Sequence, residues 1–425
     1  MLRTVKIAVI AHNVSVPLYK HRSKEFSERM YFMAKRFDEV HVISKERNIC
    51  DEDEVPIEDE LASNLIVHKV RGSFVSSNLD VLRVVKDMEA DVVFADGIGH
   101  GACSLLCKKK CGVPLITFIQ GYEADLKAIG LKLKLGLKPT PGLLSKMFAL
   151  YDSIVLRACD KVFCVSPGLV EYAQGLLPEK DWYKIEFIPH SLQYVKHVPK
   201  EAMIWANNAM DSLKAGNDHE ILPIIVVGIG LSKGTDIALK AHKYIVEKNP
   251  EAVMILVSKT IDPKYVRMVK ELKLKDNVLF LQNLPRDRVL ALLSRSSIFL
   301  CPSFSEGFGL AVAEAMALGI SVVAYTNQSL RNAVNKGAVV AVGTTDPRDY
   351  AKECTSLFRD EKRRRNLVEK AETYISPYVN FSEHERLKLI CDSISNILNE
   401  QLSSKFVHTA KIDSTLEKLG SVAKV

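Results

Sequence analysis

The chain has 425 residues, too many for one hydrophobic core, and predicts two domains of about 200 residues each. Its 47% apolar and 26% charged residues are ordinary for a soluble protein, and no apolar run reaches the roughly 18 residues of a membrane span. A net charge of +7 with only two tryptophans and no nucleic-acid-binding motif disfavours a nucleic-acid partner. Nine cysteines without a CxxC pair, and no signal-peptide pattern, predict a cytoplasmic protein.

Short continuous apolar runs alternate with helical patterns through residues 1–195. Such runs are typical of parallel strands covered on both faces, so this part predicts a doubly wound α/β domain. The predicted strands are Val5–Ala11, Val40–Ser44, Leu65–Val70, Val92–Ala95, Leu115–Ile119, Lys161–Val165 and Ile185–Ile188. The loop after the first strand carries basic residues, including His12 and Arg22. These side chains fit an anionic acceptor or a diphosphate, and a solvated loop equally well.

Between Lys108 and Lys146 lie eight lysines against two acids, and leucine alternates with lysine through residues 126–150. Such a segment suits the anionic face of a membrane or an anionic substrate. A helix pair with solvated lysines fits the pattern as well. Peripheral association with the inner face of the membrane is therefore an expectation for this protein.

The pattern changes at residue 196. Residues 196–221 predict a helical linker, and the alternation that follows in residues 222–381 predicts a second doubly wound domain. Its predicted strands are Ile224–Val227, Val253–Val257, Val278–Leu281, Ile298–Cys301 and Ile320–Tyr325. A helix at 382–401 and a frayed tail at 402–425 close the chain. The fold class is α/β, with two Rossmann-like domains facing across a cleft.

Ligands of such sheets bind beyond the carboxyl ends of the strands, so the loops after strands should carry the chemistry. The first loop of the second domain contains Gly228, Gly230 and Lys233, which offer close backbone approach and a positive charge to a phosphate. It is neither a complete GxGxxG nor a Walker A loop. Alone, this signal is weak.

The strand–loop–helix–strand unit at residues 298–325 is more informative. Its alanine-rich helix contains Glu314, a carboxylate that is costly to bury unless something pairs with it. A solvated helix stripe would explain Glu314 without any ligand. Alternatively, a ligand supplies hydroxyl donors to Glu314 while free N–H groups at Gly307 to Leu310 hold an anion at the helix start.

The segment PSFSEGFGLAVAEAMALGISVVA resembles the E-x7-E region of the GT-B glycosyltransferases, most closely the retaining nucleotide-sugar enzymes of the GT4 family. The segments VVGIGLSKGTDIALKAHKYIVEKNPEAVMILV and DNVLFLQNLPRDRVLALLSRSSIFLCPS resemble that family's phosphate loop and its approach to the motif. In the first half, CDKVFCVSPGLVEYA and EFIPHSLQ resemble the segments that close the N-terminal domain. The resemblance runs from about Val5 to Leu398, and it is specific in the second domain and loose in the first.

The resemblance implies roles for individual residues. Glu306 would contact hydroxyls of the donor sugar, Lys233 would neutralise the leaving diphosphate, and these two form the implied catalytic set. The implied donor-binding residues are Gly228, Gly230, Lys233, Ser305, Gly307, Phe308, Gly309, Leu310 and Glu314. The acceptor-side candidates are His12, Arg22, Gln120 and Gly121.

The same resemblance implies that no cofactor or metal is needed, because the nucleotide sugar is a substrate and its phosphate takes the acceptor's proton. Cys103, Cys107 and Cys111 share one helical face, but a fourth ligand for a metal is missing nearby. The final helix would pack back onto the first domain.

Three departures from the family pattern stand out. Ile229 occupies the place of an arginine in the phosphate loop, Gln120 occupies that of a histidine, and the first loop lacks the usual Gly-Gly pair. Losing one arginine–phosphate contact removes roughly 1.5 to 3 kcal/mol of charged hydrogen bonding, which weakens donor binding.

The main hypothesis is a retaining glycosyltransferase that uses a nucleotide-sugar donor and an acceptor glycan or lipid-linked sugar. A GT-B-like binding or regulatory subunit with weak or no turnover is the alternative that Ile229 and Gln120 motivate. A GT-B enzyme of another reaction, such as epimerisation, is disfavoured by the Glu306–Glu314 spacing. A dehydrogenase is disfavoured most, because no complete GxGxxG follows a predicted strand.

Overall fold

The computed structural model describes residues 4–12, 14, 24–45, 62–137, 142–214 and 221–401. Arg22, the acidic stretch 51–60 and the tail 402–425 lie outside the described residues. No helix in the described part of the chain is both long and apolar enough to span a lipid bilayer.

Within these residues the first domain is built on seven parallel strands in the order β3-β2-β1-β4-β5-β6-β7. The strands are β1 (Lys6–His12), β2 (Glu39–Lys45), β3 (Leu65–Val70), β4 (Val92–Ala95), β5 (Leu115–Ile119), β6 (Lys161–Cys164) and β7 (Ile185–Phe187). Its helices are α1 (Lys24–Ala34), α2 (Phe74–Asp87), α3 (Gly101–Cys111), α4 (Glu123–Lys134), α5 (Leu143–Ala158) and α6 (Pro167–Leu176).

Helix α7 (Lys200–Lys214) leads into the second domain, whose described strands form a six-stranded parallel sheet in the order β10-β9-β8-β11-β12-β13. The strands are β8 (Leu222–Val227), β9 (Ala252–Ser258), β10 (Val278–Gln282), β11 (Ile298–Cys301), β12 (Ser321–Tyr325) and β13 (Val340–Val342). The helices are α8 (Thr235–Val246), α9 (Pro263–Glu271), α10 (Arg286–Ser294), α11 (Leu310–Ala317), α12 (Arg331–Asn335), α13 (Pro347–Arg359) and α14 (Glu361–Asn380).

The central strands are buried on both faces because their sequences are apolar throughout. Every residue of β4, β5 and β11 is buried, as expected for a parallel sheet covered by helices. The predicted α/β fold with two doubly wound domains is therefore confirmed. Strand β13 was not predicted: it is three residues long and pairs with β12 at the edge of the second sheet.

The last helix, α15 (residues 383–401), returns to the first domain. Its residues Ile390, Cys391, Ile394 and Ile397 are buried in the same apolar cluster as the first sheet. The described part of the chain therefore starts and ends in the first domain. It enters the second domain through α7 and returns to the first domain through α15.

The two domains also touch directly where the carboxyl ends of their sheets face each other. A Cβ placed on Gly307 would lie 1.6 Å from the Gln120 carbonyl oxygen, so only glycine permits this approach. The Ser166 hydroxyl, 3.5 Å from the Gly307 carbonyl, donates a hydrogen bond across the same gap. These contacts place the loop after β11 against the loops after β5 and β6.

Candidate functional site

The loop after β8 is shaped by two glycines with positive φ, Gly228 at 90° and Gly234 at 65°. A Cβ on Gly234 would lie 2.3 Å from the Pro302 carbonyl oxygen, and Phe304 N–H donates to the Ser232 carbonyl at 3.0 Å. The loop therefore packs directly on the turn that follows β11. Two segments about seventy residues apart in sequence form one surface as a result.

Lys233 and Glu306 form an ion pair across that surface, with 2.7 Å between Lys233 Nζ and Glu306 Oε1. The lysine side chain is partly exposed while the glutamate side chain is largely buried. An ammonium group held beside a carboxylate at a cavity wall can turn toward an anionic ligand while the carboxylate accepts hydroxyl donors. The structure thus brings together the two residues of the implied catalytic set.

Helix α11 begins immediately beside this pair. Gly309 precedes it with φ at 79°, and no side chain caps the helix N-terminus. The first N–H groups of a helix have no partner within the helix and carry a partial positive charge. Gly307, Phe308, Gly309 and Leu310 line a cavity of about 460 Å³ together with Lys233, so these N–H groups adjoin a space large enough for an anion.

Ring packing and a hydrogen bond hold the loop that forms one wall of the cavity. The Phe308 ring lies between His190 and Tyr378, at centroid distances of 5.2 and 5.1 Å. Ser305 is buried, and its carbonyl accepts a hydrogen bond from the Ser303 hydroxyl at 3.1 Å. The loop therefore presents its backbone in one arrangement.

Glu314 is 6% exposed, and other side chains of the protein already contact its carboxylate. Its Oε1 accepts hydrogen bonds from Arg286 Nε at 3.0 Å, from Arg286 Nη2 at 2.6 Å and from the Tyr194 hydroxyl at 2.8 Å. The Arg286 guanidinium also lies 4.1 Å from the centre of the Tyr194 ring and donates to its hydroxyl. Burial, followed by the charge of Glu314, raises the pKa of Tyr194, so its hydroxyl stays protonated and donates.

Arg286 and Tyr194 were not named by the sequence analysis. A signal for Arg286 was present, because it follows β10 by only a few residues and parallel sheets gather ligands beyond their strand ends. Tyr194 carried no such signal, since it lies in the connection between the domains and reaches Glu314 only through the fold.

Arg286 also reaches the first domain. Its Nη1 lies 3.4 Å from Glu25 Oε1 on α1, and the other oxygen of Glu25 lies 3.7 Å from His190 Nδ1. Burial opposes ionisation of Glu25, but the guanidinium charges of Arg386 and Arg286 outweigh it and lower the Glu25 pKa. Burial and the charge of Arg386 lower the pKa of His190 to about 3, so this imidazole is neutral at neutral pH.

Two of the acceptor-side candidates, His12 and Gln120, line a smaller cavity of about 150 Å³ in the first domain. Gln120 Nε2 donates to Asp96 Oδ1 at 2.7 Å, and the same oxygen accepts from Arg29 Nη2 at 2.6 Å. Arg29 is 3% exposed and stacks against the ring of Phe118. Gln120 is therefore tied into a buried polar group of the first domain, and Gly121 lies beside Gly307.

Ile229, which stands where the family has an arginine, lines a third cavity of about 370 Å³ next to Gly228 and Lys233. Val257, Leu284 and Val289 contribute apolar walls there, while Ser258, Lys259 and Asn283 add polar groups. A space with apolar walls and a few polar groups suits a planar base better than a phosphate.

The described residues contain no cluster of three His, Cys, Asp or Glu side chains arranged to hold a metal ion. Cys103 and Cys107 are buried, and burial raises the pKa of Cys107 to about 12. A thiol with so high a pKa is a poor thiolate ligand at neutral pH and packs as a small apolar side chain.

The second domain has recognisable relatives. A family model described as glycosyl transferases group 1 matches residues 214–374. The D-inositol 3-phosphate glycosyltransferase of Thermomonospora curvata is 34% identical over 147 residues, which cover 32% of this chain and 34% of that protein. The match thus spans about a third of the length of such inositol-phosphate relatives. The N-acetyl-alpha-D-glucosaminyl L-malate synthase of Bacillus anthracis is 26% identical over 306 residues, 69% of each chain.

The whole fold also has solved counterparts. The crystal structure of Anabaena HepE in complex with UDP and glucose is similar with a TM-score of 0.67 at 14% identity, covering 92% of this chain and 100% of that chain. At this level of identity the likeness establishes the fold. The predicted resemblance to the GT-B glycosyltransferases is confirmed by the two comparisons together.

Proposed function

Because the chain has the GT-B fold and its second domain matches the glycosyl transferases group 1 family, we propose that it transfers a sugar from a nucleotide-sugar donor with retention of anomeric configuration. We propose that its acceptor is a glycan or a lipid-linked sugar. The observation that carries the proposal is the Lys233–Glu306 pair beside the uncapped start of α11.

These groups match the parts of a nucleotide sugar. In the proposed complex the first N–H groups of α11 and Lys233 hold the diphosphate, Glu306 accepts hydroxyl donors of the sugar, and Glu314 accepts those of the ribose. The base would occupy the third cavity beside Ile229. If Glu314 binds the ribose, the ribose hydroxyls must donate to its carboxylate in addition to, or in place of, Arg286 and Tyr194.

The transfer breaks the bond between the anomeric carbon and the diphosphate oxygen and forms a bond from the same carbon to the acceptor oxygen on the same face. The acceptor's proton passes to the leaving phosphate oxygen, so the step needs no separate base. Negative charge grows on the diphosphate as the bond breaks, and fixed donors aimed at that charge are an effective way to lower such a barrier. Lys233 supplies the charge, and we propose that the reaction proceeds without a metal.

The experiment is a screen of purified protein against UDP-, GDP- and ADP-sugars, with release of the nucleoside diphosphate as the readout. UDP-glucose is the first donor to test, because the HepE structure holds UDP and glucose. We expect slow hydrolysis of one donor without acceptor, unchanged by EDTA and abolished by Glu306→Ala. Undiminished turnover in both Glu306→Ala and Glu314→Ala would overturn the proposal.

Ile229 favours a second candidate, a GT-B-like binding or regulatory subunit with weak or no turnover. An apolar side chain at that position leaves Lys233 as the cation next to the cavity on this loop. Calorimetry separates the two functions. Nucleoside diphosphate binding together with release of sugar supports the transferase, whereas binding without sugar release, or no binding to any nucleoside diphosphate, supports the subunit.

A further inference from the structure

Helices α4 and α5 pack against each other on the outside of the first domain and expose many large apolar side chains. Leu143 is 75% exposed and Leu150 is 66% exposed, values that are unusual for leucine in a folded domain. We call the exposed surface of these helices the leucine–lysine face. Its apolar members are Leu126, Leu131, Leu135, Leu137, Leu143, Met147, Leu150 and Ile154.

The apolar residues of α5 form a regular stripe that points away from the protein. The stripe consists of Leu143, Met147, Leu150 and Ile154, whose spacings of four, three and four residues place them on one side of a helix. The opposite side of α5 is buried and carries Asp152, which accepts a hydrogen bond from the Tyr172 hydroxyl at 2.7 Å. The helix therefore has a second apolar side that the fold leaves uncovered.

The strongly exposed charges on this face are basic, while the first turn of α4 holds the partly exposed Glu123 and Asp125, and Glu123 Oε2 lies 3.6 Å from Lys127 Nζ. Among the described residues from 126 to 157, the strongly exposed side chains are either apolar or basic. The exposed basic members are Lys127, Lys134, Lys146 and Arg157. Asp152, the acidic side chain within this range, is buried. Leucine and lysine without exposed acid are the composition of helices that lie in the interface of an anionic bilayer.

We propose that the leucine–lysine face is the surface by which this protein docks on an anionic lipid membrane. Docking against a second copy would bring lysines against lysines, which opposes association. An apolar protein partner would leave the lysines of the face without counter-charges. A bilayer accommodates both features, because the leucines enter the acyl boundary while the lysines meet anionic headgroups.

The face borders the cleft between the domains. A Cβ placed on Gly121 would lie 3.8 Å from both Leu126 Cδ1 and Gly307 Cα, so the first exposed leucine of α4 adjoins the donor loop. On the inner side of α4, Ile129 is buried in an apolar cluster of the second domain. A membrane bound to this face would therefore lie next to the opening through which an acceptor reaches the donor. The docking inference itself rests on exposure and charge, and it stands whether or not the proposed transfer occurs.

The test is co-sedimentation of the purified full-length protein with vesicles at 0.1 M salt. Vesicles of phosphatidylcholine alone are compared with vesicles containing 30% phosphatidylglycerol. We expect binding to the anionic vesicles and little to the neutral ones. Each lysine near an anionic surface contributes about fivefold, so Lys134→Gln with Lys146→Gln should weaken binding about 25-fold. Leu143→Gln with Leu150→Gln should weaken it at least about tenfold.

Matched controls lie on other surfaces. Lys240→Gln with Lys275→Gln removes the same charge from the second domain, and Val75→Gln with Ile204→Gln removes two other exposed apolar side chains. Both should bind as the wild type does, and all variants should keep its melting temperature because the replaced side chains are exposed.

Four results would overturn the inference. The first is a protein that remains in the supernatant with anionic vesicles at 0.1 M salt, and the second is equal binding to neutral vesicles. The third is an equal loss of binding in face and control variants, and the fourth is a dimer by light scattering that Leu143→Gln with Leu150→Gln dissociates. The last result would assign the face to self-association.

Discussion

The two sides of the cleft are built differently. On the donor side, most of the groups that face the cavity come from two loops and one helix start, and several of them are backbone groups freed by glycines. On the proposed acceptor side, the polar groups are side chains from separate segments, joined by hydrogen bonds such as those that Asp96 accepts from the buried Arg29 and the exposed Gln120. The proposed donor side thus offers groups that can bind a ligand. The polar groups of the proposed acceptor side partly stabilise the fold of the first domain.

Because of this difference, we expect substitutions on the two sides of the cleft to have separate effects, on turnover or on the free energy of unfolding. Substitution of Glu306 or Lys233 on the donor side should reduce turnover and leave the free energy of unfolding nearly unchanged, because these two side chains line a cavity. Substitutions in the Arg29–Asp96 group should reduce stability first, since they leave a buried charge without its partner. Single substitutions on each side can test this separation, and Glu306→Ala is expected to have the largest effect.

Glu306→Ala should lower turnover about a thousandfold, because the lost carboxylate faces the proposed sugar and holds Lys233 at 2.7 Å. The measurement is nucleoside diphosphate release at saturating donor, with urea unfolding alongside. Glu271→Ala, an exposed carboxylate on α9, is the control and should match the wild type. A turnover within tenfold of the wild type in Glu306→Ala would contradict the donor-side assignment.

Asp96→Asn should lower the free energy of unfolding by about 3 kcal/mol, because Arg29 keeps its charge at 3% exposure without a carboxylate partner. Urea denaturation measures the change. The matched control is Asp346→Asn, which breaks a solvent-exposed pair with Arg348 and should cost less than about 1 kcal/mol. An equal decrease in the free energy of unfolding in the two variants would show that the buried pair stabilises the fold no more than the exposed pair does.

Gly307→Ala should lower turnover up to about a hundredfold while each domain stays folded. The added Cβ would meet the Gln120 carbonyl oxygen, so the domains must separate by a distance that misplaces the donor relative to the acceptor. Gly343→Ala is the control, because no atom lies within 4 Å of its added Cβ. Small-angle scattering of the variant should show a wider cleft, and an unchanged turnover would refute the role of this contact.

Arg286→Ala and Glu314→Gln should be coupled by about 1 to 2 kcal/mol in a double-mutant cycle of unfolding. Each single change leaves the other group short of a partner, and the half-exposed position of Arg286 limits the effect. Tyr194→Phe should likewise show a non-additive effect on the free energy of unfolding when it is combined with either substitution, since the Tyr194 hydroxyl binds the same carboxylate oxygen. Strict additivity would mean that the three groups act independently.

The sequence predicted the fold well because parallel strands buried on both faces leave continuous apolar runs, as in β5 and β11. Strand β13 was missed because three residues at a sheet edge leave too short a run. The candidate donor residues could be proposed from the sequence because they lie in two short segments that match a family pattern, and the fold brings these segments together. Tyr194, Glu25 and Asp96 could not, since only the folded chain brings them together.

The contact between Gly307 and Gln120 has a consequence for the order of events in catalysis. The loop that is proposed to hold the diphosphate is also the loop on which the first domain rests. Because this contact bounds one side of the proposed diphosphate site, we expect the donor to enter and the spent nucleoside diphosphate to leave while the contact is open. We expect steady-state kinetics with compulsory order, in which donor binds before acceptor and the nucleoside diphosphate dissociates last.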